Sequence, residues 1–430
     1  MTLRNLGLAA VFISFTFSQY TRAAGVDARP DEDFPATAAI DAGAAQRCAE
    51  VEALAAGAPG SAGKALAGLL SDPEPAVRAC ALRAMRSSGE AENLAAAETL
   101  LSEVDGYRAA SGNKGLFEDN LKARLKAIDS IWALGELGDP RLMPKLAEFY
   151  SEADEVIKIN LLISMGKLRS NGRTAPFLLG IAADPGETAV VRAAAFEMLE
   201  HIGAPAAVAG LKPSARAGME KGDLIFTGGI VGTISGWVSP DMPVGHAGIF
   251  AGTEIKDGRI RVILADCVPN SFKPGGVRNI YAWHTFTRNY EFPLYGNRTS
   301  KVRPTAAQRE RIVSRALAMG KLGLKYKLFS RGPAEFDCVN YTEFLYEAAG
   351  LNPTDDRLES GAGWPFTPWE QFESTRPDSP AVPLRAAADG GRAQDRELIR
   401  RSFSSLAGAF GLKGGQIPEI DGDIQPAVSD

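Results

Sequence analysis

The sequence predicts two domains of different class: an all-α domain of stacked helix pairs over about residues 40–210, followed by an α+β domain over about 215–375. Three observations carry this. Leu137, Leu168 and Ile202 close similar apolar segments 31 and then 34 positions apart. That is the period of helix pairs that each bury an apolar face on the next pair. At Lys212-Pro213 alanine-rich sequence gives way to glycine, β-branched and aromatic residues. The second half also holds a cysteine at the start of an amphipathic helix, Cys338, with His246 at the start of a strand 92 positions upstream.

The chain opens with Arg4, an uncharged run from Leu6 to Phe17, and then Thr21-Arg22-Ala23-Ala24. A basic start, a short apolar run and small residues at the cut predict a secretory signal peptide over residues 1–23, cleaved after Ala23. The run is too short to span a bilayer. No cysteine follows it, which argues against a lipid anchor, and no later stretch approaches eighteen apolar residues. A periplasmic or secreted protein without a transmembrane segment is expected.

Gly25 to about Ala39 reads as loose chain. The helical units begin after it. Asp72-Pro73-Glu74-Pro75-Ala76-Val77-Arg78 opens one, and Ala127-Ile128 to Leu137-Gly138-Asp139-Pro140 marks another. Leu161-Leu162 with Met165-Gly166-Lys167-Leu168, and Val191 to Gly203, repeat the theme. The order Asp-Pro, Val-Arg, Ala-Leu, Leu-Gly resembles HEAT-type repeats, which implies a solenoid and a surface for a protein partner or a neighbouring domain. Gly106 to Glu118, with Gly112 and Gly115, is expected to be a longer loop.

The second domain starts with a buried strand at Gly222 to Gly228. Ile230 to Val238 is apolar and contains Trp237, a candidate pocket wall. Strands follow at Val244–Gly252, Arg259–Asp266, after Gly275-Gly276, and at Tyr290–Tyr295. Thr305 and Gln308 form a capping box that opens a helix to about Met319. Asp337 is then a natural N-cap for a helix that begins at Cys338 and stops near Gly350. A thiol at a helix N-terminus feels the positive end of the macrodipole, so the spacing predicts a favoured thiolate. The competing reading is a small apolar residue on a core helix. Past Phe372 the chain reads as linker and tail over 376–430, with one amphipathic segment from Gln394 to Phe410.

Composition narrows the function. A net charge of −5 argues against general nucleic-acid affinity. The four cysteines, Cys48, Cys80, Cys267 and Cys338, form neither a Cys-x-x-Cys pair nor a disulfide framework. In an exported protein Cys48 and Cys80 could pair, although burial in helices would also explain both. The three histidines, His201, His246 and His284, lie in two domains, so no zinc site and no cofactor is expected. His201 reads as a satisfied helix residue and His284 as a surface or strand-end residue.

Gly222-Asp223-Leu224-Ile225-Phe226, Gly245-His246-Ala247-Gly248-Ile249-Phe250, and Phe336-Asp337-Cys338 opening a helix that ends Ala348-Ala349-Gly350-Leu351-Asn352-Pro353 resemble the NlpC-type papain-like cysteine peptidases. In most of that family the cysteine helix comes first. Here it comes last, which resembles the circularly permuted, YiiX-like branch related to lecithin–retinol acyltransferases. Over residues 215–375 the resemblance implies Cys338 as nucleophile and His246 as general base. It also implies a third polar residue on the following strand, for which Asp266 is the nearest match and Leu264 the other register. If Asp266 faces the site, alternation turns Cys267 away. The backbone N–H of Cys338, at the start of the helix capped by Asp337, could serve an oxyanion. Asp223, Trp237 and Tyr326 are pocket candidates. The expected activity is an exported cysteine hydrolase of amide or ester bonds, acting on a peptidoglycan peptide or a lipid acyl group. The alternative is a binding or scaffold protein whose repeats capture a partner beside an idle catalytic fold.

Overall fold

The computed structural model describes scattered residues between 46 and 85 and then residues 90–112, 117–168, 171–228, 244–269, 272, 274–290, 292–298, 303–327, 334–353 and 368–374. The expected leader, the Ile230–Val238 wall with Trp237, and the tail past 376 lie outside the described residues.

From Glu90 onward the described residues of the first half form six α-helices: α1 (Glu90–Gly112), α2 (Phe117–Leu137), α3 (Met143–Tyr150), α4 (Glu155–Lys167), α5 (Asn171–Ala183) and α6 (Ala189–His201). The residues that set the sequence period sit at equivalent places. Leu137 ends α2, and Leu168 and Ile202 are the C-caps of α4 and α6. These three helices pack side by side as an inner layer. Close approach requires glycine at two points. A Cβ on Gly135 would lie 2.7 Å from the Ser164 backbone, and one on Gly166 would lie 2.6 Å from the Met198 sulfur. The 31-residue repeat is thus written in the contact itself. The loop expected at Gly106–Glu118 is shorter. Helix α1 runs through Gly106, where an added Cβ would meet nothing within 4 Å. One exposed glycine costs a helix only about 1 kcal/mol, which packing along α2 outweighs.

The second half is an antiparallel five-stranded sheet in the order β4-β3-β2-β1-β5. Its strands are β1 (Leu224–Thr227), β2 (His246–Lys256), β3 (Arg259–Val268), β4 (Gly276–Ile280) and β5 (Leu294–Arg298). A short helix α7 (Trp283–Phe286) links β4 towards β5. Helix α8 (Ala306–Met319) starts at the Thr305–Gln308 capping box, formed in both directions. The parallel pair β6 (Lys325–Tyr326) and β7 (Glu335–Phe336) leads into α9 (Cys338–Glu347), and α10 (Pro368–Ser374) packs on α9. The strand expected at Tyr290–Tyr295 begins only at Leu294. Arg288, Asn289 and Tyr290 occupy left-handed backbone conformations with φ of 53, 58 and 61°, which no strand can include.

One hydrophobic core runs through both halves. Helix α6 packs on β3, and α4 packs on the edge strand β5. Asn160 of α4 closes that edge with both ends of its amide. Its Nδ2 donates to the Leu294 carbonyl at 2.7 Å, and its Oδ1 accepts the Leu294 N–H at 3.0 Å. The helical layer therefore satisfies backbone groups that a free edge strand would leave open. Among the described residues no helix is long and apolar enough to cross a membrane. Cys80 is disulfide-bonded, so of the two readings of this cysteine burial alone does not hold; Cys48 lies outside the described residues.

Candidate active site

Strand pairing assembles the site. His246 is the first residue of β2, Gly248 pairs with Asp266 of β3, and Asp266 pairs with Arg278 of β4. His246 and Gly248 are two apart, so these residues share one face of the sheet. Asp266 is fully buried. Its carboxylate meets His246 Nε2 at 3.0 Å and accepts from Arg278 Nε at 2.8 Å and Nη2 at 3.1 Å. Burial alone would raise the Asp266 carboxyl. The Arg278 charge and the His246 contact reverse that and hold it below the ordinary carboxylate range. With Nε2 engaged by the carboxylate, Nδ1 is the nitrogen left to exchange a proton. The Phe286 ring of α7 lies 5.3 Å from the imidazole, centre to centre. Gly248 makes room for it, since a Cβ there would come within 2.9 Å of that ring.

Cys338 is the first helical residue of α9. Asp337 caps the helix, with its carboxylate accepting the Asn340 N–H at 2.7 Å and the Asn340 side-chain amide at 2.8 Å. The Cys338 sulfur interacts with the backbone N–H of Ala247, the residue after His246. Cys338 and His246 line one cavity of about 50 Å³, together with Tyr326, Arg278, Arg288, Phe272, Phe286 and Phe292. The expected thiolate preference is not what the structure holds. Burial pushes the Cys338 thiol up, and the nearby Asp337 carboxylate pushes it further, against the smaller effect of the Ala247 and Val339 amides. A helix terminus contributes only about 0.3–1 kcal/mol, less than the cost of burying a charge. Burial and the Asp337 charge thus both favour the thiol form of Cys338 over the thiolate.

Two other expectations change. Alternation does send Asp266 and Cys267 to opposite partners, and Cys267 Sγ donates to the Phe336 carbonyl at 3.2 Å. But the Phe336-Asp337-Cys338 segment lies on that side, so Cys267 also borders the cavity. Its thiol is pushed well up by burial first and by the Cys338 charge second. Asp223 does not line the cavity. Thr227, at the other end of β1, is the residue opposite His246. Asp223 therefore sits roughly 13 Å along the strand from the site. There its carboxylate accepts from Arg309 Nη1 at 2.7 Å, tying β1 to α8. Tyr326 does line the cavity, and burial followed by the Cys338 charge pushes its phenol well up. The Asp266 register, rather than Leu264, is the one that meets the imidazole.

His201 and His284 stand away from this cavity, each edge-on to the Tyr290 ring. Sequence reasoning missed Arg278, Arg288 and the three phenylalanines. Only the cross-strand register of β3 and β4 could have found Arg278. Among the described residues no cluster of potential ligands could hold a metal ion. No family model, curated protein or solved structure matches the chain.

Proposed function

We propose that this protein is a cysteine hydrolase of the permuted NlpC-type, papain-like kind, transferring an acyl group from an amide or ester carbonyl to Cys338 and then to water. The observation that carries the reading is the array Arg278–Asp266–His246 ending at the cavity that also holds the Cys338 thiol. Asp266 fixes the imidazole with Nε2–H towards the carboxylate, which leaves Nδ1 as the base. As the sulfur attacks the carbonyl carbon, its proton moves to Nδ1, and the carbonyl electrons move to oxygen. The Cys338 backbone N–H, at the positive end of α9, is placed to donate to that oxyanion. Collapse of the adduct breaks the bond to the leaving amine or alcohol, which takes the proton from the imidazolium. Water then enters by the same base and releases the acid, restoring the thiol. The leader-like first 23 residues support an exported enzyme. Peptide and lipid acyl donors both suit the chemistry.

The deep burial of Cys338 supports the one competing reading, an idle fold beside a partner-binding helical surface. Purified protein incubated with peptidoglycan fragments and with acylated lipids separates the two. Cleavage of one class by wild type, and of neither by Cys338→Ser, supports the enzyme. No cleavage, with a protein partner retained on the helices, supports the idle fold.

A further inference from the structure

The segment from Trp283 to Tyr290 supplies one wall of the catalytic cavity. Thr285 and Phe286 line it beside His246 and Cys338. The Phe286 ring stands 5.3 Å from the imidazole, in the space that Gly248 leaves open. A ring packed there limits how far the imidazole can turn from its Asp266 contact.

The element that carries Phe286 cannot hold itself. Helix α7 has four residues, and a helix that short does not persist on its own. Its N-cap is Ala282, whose methyl group caps nothing. The N–H groups of its first turn therefore need partners from elsewhere. Glu197 of α6 supplies them. Its carboxylate accepts the Trp283 N–H at 2.8 Å and the His284 N–H, and it also accepts the Tyr290 hydroxyl at 2.7 Å. One carboxylate thus closes both ends of the segment, with Phe286 between them. The two ends differ. At Tyr290 the backbone carbonyl also accepts from Trp132 Nε1 of α2 at 3.3 Å and Lys167 Nζ of α4 at 2.7 Å. At α7, among the described residues, the cap is Glu197 alone. Glu197 does not line the catalytic cavity. It lines a separate one of about 270 Å³ between α6, the start of β3 and the Tyr281–Thr285 link.

We infer that Glu197 is a positioning residue for the reaction: by capping α7 across the two halves it holds Phe286 against His246, and so keeps the imidazole engaged with Asp266. That role rests on the hydrolase reading above for its catalytic sense. It gives the helical half a part in the chemistry without any contact to substrate.

Acetylation of the full chain by p-nitrophenyl acetate tests it, with the acetyl group on the Cys338 peptide measured by mass spectrometry after an acid quench. Glu197→Gln keeps the size of the side chain and one acceptor, and near-ultraviolet circular dichroism checks the fold of every variant. The acetylation rate of Glu197→Gln should fall roughly tenfold, since misplacing a catalytic group by about 1 Å can cost a hundredfold. Phe286→Leu should lower it by a similar factor. The double variant separates positioning from general damage. If Glu197 acts through Phe286, losing both costs no more than the larger single loss, as for residues that act as a unit. Single losses that multiply in the double variant overturn the inference, and so does an unchanged rate in Glu197→Gln; both leave Cys338 as the nucleophile.

The imidazole itself gives a readout that does not need turnover. The chain has three histidines, so protein labelled at histidine gives three ring signals, assigned with His201→Gln and His284→Gln. Glu197→Gln and Phe286→Leu should both move the His246 signal, because both disturb the ring beside it. A His246 signal unmoved in Glu197→Gln overturns the positioning role even where acetylation falls. No acetylation of Cys338 in wild type overturns the hydrolase reading, and the catalytic sense of the role with it.

Discussion

Replacing Arg278 with methionine should reverse the sign of the Asp266 contribution to pH-dependent stability. In the native protein Asp266 has no exposed surface and accepts two N–H groups from a guanidinium that is itself 6% exposed. Burial pushes the carboxyl up, and Arg278 with His246 pushes it further down. The folded value is therefore below the unfolded one of about 3.9. Its contribution is present above that value and is lost as pH falls through the folded value. Methionine keeps an apolar stem and removes both donors. Burial is then opposed by His246 alone, and the folded value rises above the unfolded one. Stability should now decline as pH climbs from about 4 towards neutrality. At pH 7 the single variant leaves a buried carboxylate without its main partner, at a cost of about 3–5 kcal/mol. Adding Asp266→Asn removes the charge and should recover a large part of that loss. Urea unfolding at a series of pH values measures both effects. A variant whose stability runs parallel to wild type, with a cost below about 1 kcal/mol as for an exposed pair, would refute the reasoning.

Glu197 gives a second pH signature. Burial pushes its carboxyl up to about 7, against the opposing N–H and O–H donors of Tyr290, His284 and Trp283. Folding then takes up a proton between about 4.5 and 7, so stability should fall as pH rises through that window, by up to roughly 3 kcal/mol. The difference between wild type and Glu197→Gln isolates this, because His201 and His284, both lowered by burial, titrate with the opposite sign in each protein. Asn160→Ala should destabilise the whole chain by about 2–5 kcal/mol, since it strands the buried N–H and carbonyl of Leu294. For the same reason residues 212–375 expressed alone should be poorly folded, visible as lost cooperativity in thermal unfolding.

Much of this was legible from local chemistry. The Asp337 cap, the Thr305–Gln308 box and the Leu137–Leu168–Ile202 period depend on near neighbours, and each is where the sequence places it. His246 at the head of β2 was readable from the small-residue strand that follows it. What escaped depends on distant partners. Arg278 takes its role from a register that pairs it with Asp266 across β3 and β4. The strand expected from Tyr290 has no glycine at its start to announce a left-handed turn, and the contacts that hold Tyr290 there, from Trp132, Lys167 and Glu197, lie more than ninety positions away. The thiol state of Cys338 likewise follows from burial, which a motif does not report. The helix dipole was the legible effect and the weaker one.

The most direct measurement is the site of acylation. A small activated ester incubated with the full chain, quenched in acid and digested, should leave its acyl group as a thioester on the peptide containing Cys338. That adduct should be absent in His246→Ala, where nothing takes the thiol proton, and should decay with time in wild type as water completes the cycle. Cys267 borders the same cavity and serves as the internal control. Acylation of Cys267 as fast as Cys338, or an adduct on Cys338 that forms equally well without His246, would contradict a base-activated nucleophile at residue 338.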